Sequence, residues 1–205
     1  MKTITSVSLC VKNKARSNIY LDGAFFCSMD NLIVLKYGLK ADMQIEEERL
    51  SQIQEENEFS TAFELALNYV ARYKKTKKQI IEYLMKKGYL YPVAVKVVKK
   101  LEGYGFADDK DFAKSYAQQS AKNKGKMLIK MQLRAKGVDK LTAENAVEDM
   151  DEQPAANQLA VKYMRSKELT KENLAKCYRY LLSKGFSFES AQAAVKSIKE
   201  IDDDY

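Results

Sequence analysis

Ten basic side chains lie between residues 72 and 100: Arg72, Lys74, Lys75, Lys77, Lys78, Lys86, Lys87, Lys96, Lys99 and Lys100, against one acid, Glu82. Charge this dense repels itself unless an anion arrives. The chemistry on offer is therefore docking, to a nucleic-acid backbone or to an acidic protein groove. A solvated helix face has the same composition, so the sequence leaves both readings standing. A second basic set follows in Lys122, Lys124, Lys126, Lys130 and Arg134. The candidate docking residues are these five with Arg72, Lys74, Lys75, Lys77, Lys78, Lys86 and Lys87.

Catalytic chemistry finds little to work with. The chain has no histidine, which removes the commonest general base and the commonest metal ligand together. Asp108-Asp109-Lys110-Asp111 resembles a metal cluster in composition. It is better explained as an N-cap at Asp108 or Asp109 with further acids in the first helical turn. Gly103-Tyr104-Gly105 is a turn, without the strand, glycine spacing and Lys-Ser/Thr of a phosphate loop. Thr76-Lys77-Lys78-Gln79 has the form of a capping box, and Thr170 opens a later helix in the same way. The expectation is a protein that is not an enzyme, with no catalytic residue, no metal and no cofactor.

The tyrosines divide into two groups. Tyr69, Tyr116 and Tyr163 lie on apolar faces and read as core. Tyr73, Tyr89 and Tyr91 lie within the basic run, where they could stack on bases or pad an interface between helices.

The elements that must position these residues show two patterns. In residues 1–29, Val7, Leu9 and Val11 alternate with Ser8 and Cys10, the period of a strand. Ile19-Tyr20-Leu21 and Ala24-Phe25-Phe26 flank Asp22-Gly23, a strong hairpin signal because a type I′ turn needs positive φ. Asp30 or Asn31 can cap a short helix that ends near Tyr37, with Gly38 at its C′ position. Leu39 to Ile45 reads as another short extended piece. The acidic segment Glu46 to Glu58 reads as an exposed helix and a boundary.

Beyond residue 58 the period becomes 3.6 and a repeat emerges. Lys87-Gly88, Lys136-Gly137 and Lys184-Gly185 bring into register Leu84, Leu133 and Leu181, then Ala94, Ala143 and Ala191, then Val98, Val147 and Val195. Upstream, Ala-x-x-Tyr recurs as Ala66/Tyr69, Ala113/Tyr116 and Ala160/Tyr163. One supersecondary unit therefore occurs three times. Each unit reads as three short helices, with the glycine ending the second, and Pro92 suits the first turn of a third helix. The expected fold is mainly α: three tandem three-helix repeats, stacked and elongated, behind a small N-terminal β-hairpin or α+β domain. The expected boundaries are 1–57, 58–107, 108–152 and 153–205.

Net charge is +7, unevenly spread: residues 1–58 carry 7 basic and 9 acidic side chains, the rest 28 and 19. The later part therefore faces polyanions or an acidic surface. Cys10, Cys27 and Cys177 show no CxxC spacing and read as reduced thiols. No apolar stretch approaches the roughly 20 residues of a membrane span, and the first residues lack the apolar core of a secretory signal. The expected compartment is the cytoplasm.

The residues also carry a resemblance. Ala66-Leu67-Asn68-Tyr69-Val70-Ala71-Arg72, Thr76, Gln79-Ile80, Leu84 and Lys87-Gly88 are similar to the first repeat of RecX proteins, although Gln79 stands where that family has Glu. Leu101 through Ala113, with Gly103-Tyr104-Gly105-Phe106 and Asp108-Asp109 before Phe112-Ala113, resembles the segment that follows. Gly125, Leu133 and Lys136-Gly137-Val138 match the second repeat. The hairpin followed by Leu35-Lys36-Tyr37-Gly38-Leu39 is similar to the extra N-terminal domain of Gram-positive members. The resemblance implies a monomeric, non-enzymatic regulator that binds RecA–DNA filaments. It implies suppression of RecA ATP hydrolysis, strand exchange and co-protease activity in recombination, DNA repair and the SOS response. The alternative from another class of function is a basic helical-repeat protein that binds single- or double-stranded DNA directly, independent of RecA.

Overall fold

The computed structural model describes residues 1–203, so the last two residues of the expected third repeat lie outside the described residues. The chain divides into two compact units. The first holds residues 1–73 and 80–106, and the second holds residues 74–79 and everything from Ala107 onward.

The first unit opens with strands β1 (Lys2–Leu9), β2 (Arg16–Leu21) and β3 (Ala24–Asp30), helix α1 (Asn31–Lys36) and strand β4 (Met43–Ile45). The sheet is antiparallel with order β3-β2-β1-β4. The β2–β3 turn falls at Asp22-Gly23, where φ is 48° and 87°, the left-handed pair that a type I′ turn demands. β1 ends at Leu9, so Val11 does not extend it as the alternation suggests; Val11 is exposed outside any strand. A register shift between Ile4 and Ser6 lets Ile4 and Val7 face the same core despite their odd separation. The extended piece expected over 39–45 narrows to β4. The Asp30 side chain caps α1 by accepting from the Leu32 N–H at 2.8 Å, and Gly38 follows with φ 59°.

Helix α2 (Glu47–Arg72) runs through position 58 without a break. Its first half is not the exposed helix expected for residues 46–58. Leu50 and Ile53 join Ile4, Ile19, Met29, Ile33, Leu39 and Ile45 in one core. Asn57, 4% exposed, accepts the Asp30 N–H at 2.8 Å. The abundance of glutamate conceals a buried stripe at i, i+3, i+7. The second half of α2 buries Ala62, Ala66 and Val70 and packs on α4 (Tyr91–Gly103), which has Pro92 in its first turn. Helix α3 (Lys77–Lys86) buries Ile80 and Leu84 and stacks Tyr83 on Tyr69 of α2 at 4.0 Å.

The second unit repeats this three-helix plan twice. α5 (Asp109–Ser120), α6 (Lys126–Ala135) and α7 (Lys140–Asn145) enclose Phe112, Ala113, Ala117, Ile129, Leu133, Val138, Ala143 and Val147. α8 (Gln153–Met164), α9 (Lys171–Ser183) and α10 (Phe188–Asp203) enclose Ala156, Ala160, Leu174, Cys177, Leu181, Phe186, Ala191 and Ala194. The register read from sequence holds: Leu84, Leu133 and Leu181 are fully buried, as are Ala94, Ala143 and Ala191.

Candidate docking site

Each second helix ends in the same way. Gly88, Gly137 and Gly185 have φ of 94°, 96° and 84°. The amides after them bond back into the last turn: Tyr89 to the Leu84 carbonyl, Val138 to Leu133 and Phe186 to Leu181, at 3.1–3.3 Å. This is the Schellman arrangement, which satisfies carbonyls that the helix leaves open.

In the second unit these ends also join successive repeats. The hydroxyl of Thr76, at the start of α3, donates to the Lys136 carbonyl at the end of α6 at 2.6 Å. The Gly125 and Met127 N–H groups, at the start of α6, donate to the Lys184 and Gly185 carbonyls at the end of α9, at 2.9 and 3.1 Å. At the α6–α9 contact the open amide donors at the start of one helix thus meet the open carbonyl acceptors at the end of the other. An acid from the following first helix completes each joint. Asp109 accepts the Lys77 N–H at 2.9 Å, and Glu152 accepts those of Lys126 and Ser187 at 2.8 and 2.9 Å. Burial raises the pKa of Glu152, but these backbone donors outweigh it and hold the carboxyl below its ordinary value. Asp108 caps α5 as expected, and the Asp111 and Lys110 amides lower its pKa. Sequence reasoning assigned Asp109 to its own helix and passed over Glu152, because the amides they serve are distant in the chain.

Thr76 and Gln79 form the expected capping box. The Thr76 hydroxyl accepts the Gln79 N–H at 3.2 Å, and the Gln79 side chain accepts the Thr76 N–H at 3.1 Å. Thr170 caps α9 through the Asn173 N–H.

The basic run is not uniformly outward. Lys74 pairs with Asp111 at 2.6 Å and donates to the Ser115 hydroxyl at 2.8 Å. The Lys78 stem lies where a side chain on Gly137 would stand, and Lys75 and Lys77 are half-buried. Acids of α5 outside the segment therefore offset part of a charge that no residue within it balances. Arg72, at the end of α2, and Lys86 and Lys87, at the end of α3, are exposed. In the second basic set, Lys122 and Arg134 are exposed and Lys130 is half-buried. Lys130, Met131, Arg134, Lys140 and Glu144 line an open cleft of about 570 Å³. Lys124 is held by Gln132 at 2.8 Å, and Lys126 by the Glu148 carbonyl at 3.0 Å.

A second recurring feature was not read from the sequence. Tyr69, Tyr116 and Tyr163 are half-buried rather than core. Each meets the residue five positions before the repeat glycine. Tyr69 stacks on Tyr83, Tyr163 stacks on Tyr180 at 4.8 Å, and the Tyr116 hydroxyl donates to Gln132 at 2.6 Å. The lysine preceding each glycine then sits over a ring: Lys87 over Tyr83 at 5.7 Å, Lys136 over Tyr116 at 5.4 Å and Lys184 over Tyr180 at 5.4 Å. An ammonium over a ring face is stabilised by roughly 0.5–1 kcal/mol at an exposed site. Tyr73 and Tyr91 are exposed, and Tyr89 is half-buried.

Two of the thiols, Cys27 and Cys177, are held in the protonated form. Burial pushes Cys27 up to about 11 and raises Cys177 as well. Among the described residues, no group of three or more His, Cys, Asp or Glu is placed to hold a metal ion, and no helix is long and apolar enough to cross a membrane.

Three family models match this chain: the regulatory protein RecX N-terminal domain over residues 2–46, the second RecX three-helix domain over 108–147 and the third over 151–195. The regulatory protein RecX of Clostridium botulinum strain Eklund 17B is 30% identical over 96% of this chain and 96% of its own length. The chain belongs to the RecX family. It is thus a member of a family of regulatory proteins. The Bacillus subtilis regulatory protein RecX is likewise 30% identical, over all of this chain and 80% of its own length. The crystal structure of RecX from Lactobacillus salivarius matches 69% of this chain and 97% of its own, with a TM-score of 0.64 and 25% identity. A further RecX crystal structure shares the fold over 94% of this chain and 98% of its own, with a TM-score of 0.70.

Proposed function

We propose that this chain binds RecA nucleoprotein filaments and restrains RecA, lowering ATP hydrolysis, strand exchange and co-protease activity in recombination, repair and the SOS response. The observation that carries the reading is the match to RecX regulators over nearly the full length of both chains. The surface agrees with it. The exposed cations Arg72, Lys86, Lys122 and Arg134 make no ion pair among the described residues, so they remain available to a polyanionic or acidic partner. The protein acts as a cytoplasmic monomer without a cofactor, and its modules are the N-terminal domain and three repeats bounded near 57, 107 and 152. The test is RecA ATPase on single-stranded DNA with and without the protein. Dose-dependent suppression is the expected result, and an unchanged rate at saturating protein overturns it.

One observation favours a second reading, direct DNA binding independent of RecA: residues 59–205 carry 28 basic against 19 acidic side chains. Steeply salt-dependent binding of DNA by the protein alone supports it.

A further inference from the structure

The third repeat holds a cleft of about 520 Å³ whose wall includes Lys162, Lys167 and Lys184 and no carboxylate residue. None of the three lysines pairs with an acid among the described residues. Two of them are placed by aromatic rings. The Lys167 ammonium lies 3.1 Å from the centroid of Tyr163, Tyr163 stacks on Tyr180, and the Lys184 ammonium lies 5.4 Å from the centroid of Tyr180. The order is Lys–Tyr–Tyr–Lys. Lys167 is anchored further by donating to the Tyr163 carbonyl at 2.9 Å. Lys162, exposed on α8, adds a third charge, and Asn123 adds an amide.

The corresponding place in the second repeat shows what is particular here. There Gln132 replaces the second tyrosine. Lys124 lies over Tyr116 but is bound to the Gln132 oxygen at 2.8 Å and to the Tyr116 hydroxyl at 3.4 Å. That lysine is committed to its own repeat. Ring faces orient Lys167 and Lys184 without neutralising them, so the third repeat keeps two oriented positive charges and the exposed Lys162 around one opening.

We propose that this cleft binds the phosphodiester backbone of single-stranded DNA, with Lys162, Lys167 and Lys184 as the phosphate contacts. Ammonium groups recognise phosphate as point charges and carry no sequence preference. A duplex presents its phosphates on a stiff convex cylinder, whereas a flexible single strand can follow a recess. The proposal deepens the direct-DNA reading and rests it on residues other than the basic set of the first repeat.

The experiment is fluorescence polarisation of a labelled oligothymidylate with the full chain, titrated at several salt concentrations. K162Q/K167Q/K184Q should weaken binding at least tenfold and make the salt dependence shallower by about 2, since each single-strand phosphate contact contributes about 0.7 to the slope. K162R/K167R/K184R should retain wild-type affinity, which separates lost charge from lost fold. K12Q/K14Q/K40Q removes equal charge from exposed positions of the N-terminal domain and should change affinity less than threefold. Equal losses in the two Gln variants overturn the proposal, as does a wild-type protein that does not bind the oligonucleotide at low salt. RecA ATPase measured on the same proteins judges the filament reading separately: suppression without oligonucleotide binding removes this site and leaves that reading intact.

Discussion

The Thr76 hydroxyl accepts the Gln79 N–H at 3.2 Å and donates to the Lys136 carbonyl at 2.6 Å, so one side chain caps α3 and ties it to the end of α6. It is fully buried. Thr76→Val keeps the shape and removes both bonds. An N-cap is worth about 1 kcal/mol, and leaving the half-buried Lys136 carbonyl without this donor costs about 1–3 kcal/mol more. The expected loss is about 2–4 kcal/mol in urea unfolding. Thr76→Ser, which keeps the hydroxyl, should lose less than about 1 kcal/mol.

The repeat glycines are not equivalent, and alanine should show it. Gly88 and Gly185 both have positive φ, so each substitution carries a strain of about 1–2 kcal/mol. A methyl group on Gly88 meets open space, whereas on Gly185 it would stand 2.3 Å from the Leu128 Cβ. Gly185→Ala should therefore destabilise by at least about 2 kcal/mol more than Gly88→Ala, because backbone of α6 must move. Equal shifts in thermal unfolding would mean that the joint between these repeats is soft.

This difference between glycines also marks where the sequence stops being legible. The apolar register around each Lys-Gly is local, so Leu84, Leu133 and Leu181 could be placed from spacing alone, and the Asp22-Gly23 turn followed from its own φ requirement. Leu50 and Ile53 were hidden because six glutamates between positions 46 and 58 dominate the composition, while two apolar residues suffice to dock the helix. Asp109 and Glu152 were misread or missed because their partners lie 32, 26 and 35 residues away, and propensity carries no information at that range. The candidate cations could be named, but their pairing could not: Lys74 looks no different in sequence from Arg72, yet one is held by Asp111 and the other is not.

Glu152 should give the fold an acid-sensitive joint. Its folded pKa lies below the ordinary 4.5, so its contribution is fully present above about pH 4.5 and is lost as pH falls through the folded value. Glu152→Gln leaves one acceptor for two backbone donors and turns an amide N–H₂ toward the other. At neutral pH the variant should be less stable by about 1.5–3 kcal/mol, the worth of a hydrogen bond to a charged group. The gap to wild type should narrow as pH drops from 5 toward 3. Chemical denaturation at a series of pH values measures this, and a gap independent of pH would assign the effect to packing instead.

The final prediction concerns the first basic set. Substituting Arg72, Lys74, Lys75, Lys77 and Lys78 together with Gln should leave the fold intact. The capping box that starts α3 uses the Thr76 and Gln79 side chains, the Asp109 bond uses the Lys77 backbone, and Gln retains the stem of Lys78 beside Gly137. The Lys74–Asp111 pair, with both side chains 54% exposed, is worth at most about 1 kcal/mol. Its loss leaves Asp111 in water, where it needs no partner. Suppression of RecA ATPase should require at least tenfold more of this variant, equivalent to about 1.4 kcal/mol of docking energy, and the difference from wild type should shrink as salt rises. Lys122→Gln with Lys130→Gln and Arg134→Gln is the comparison, since Lys130 and Arg134 line a cleft of the second repeat and Lys122 is exposed. If the first variant suppresses at the wild-type concentration and the second does not, docking runs through the second repeat, and the charge at residues 72–78 serves only the joint that Asp109 and Asp111 close.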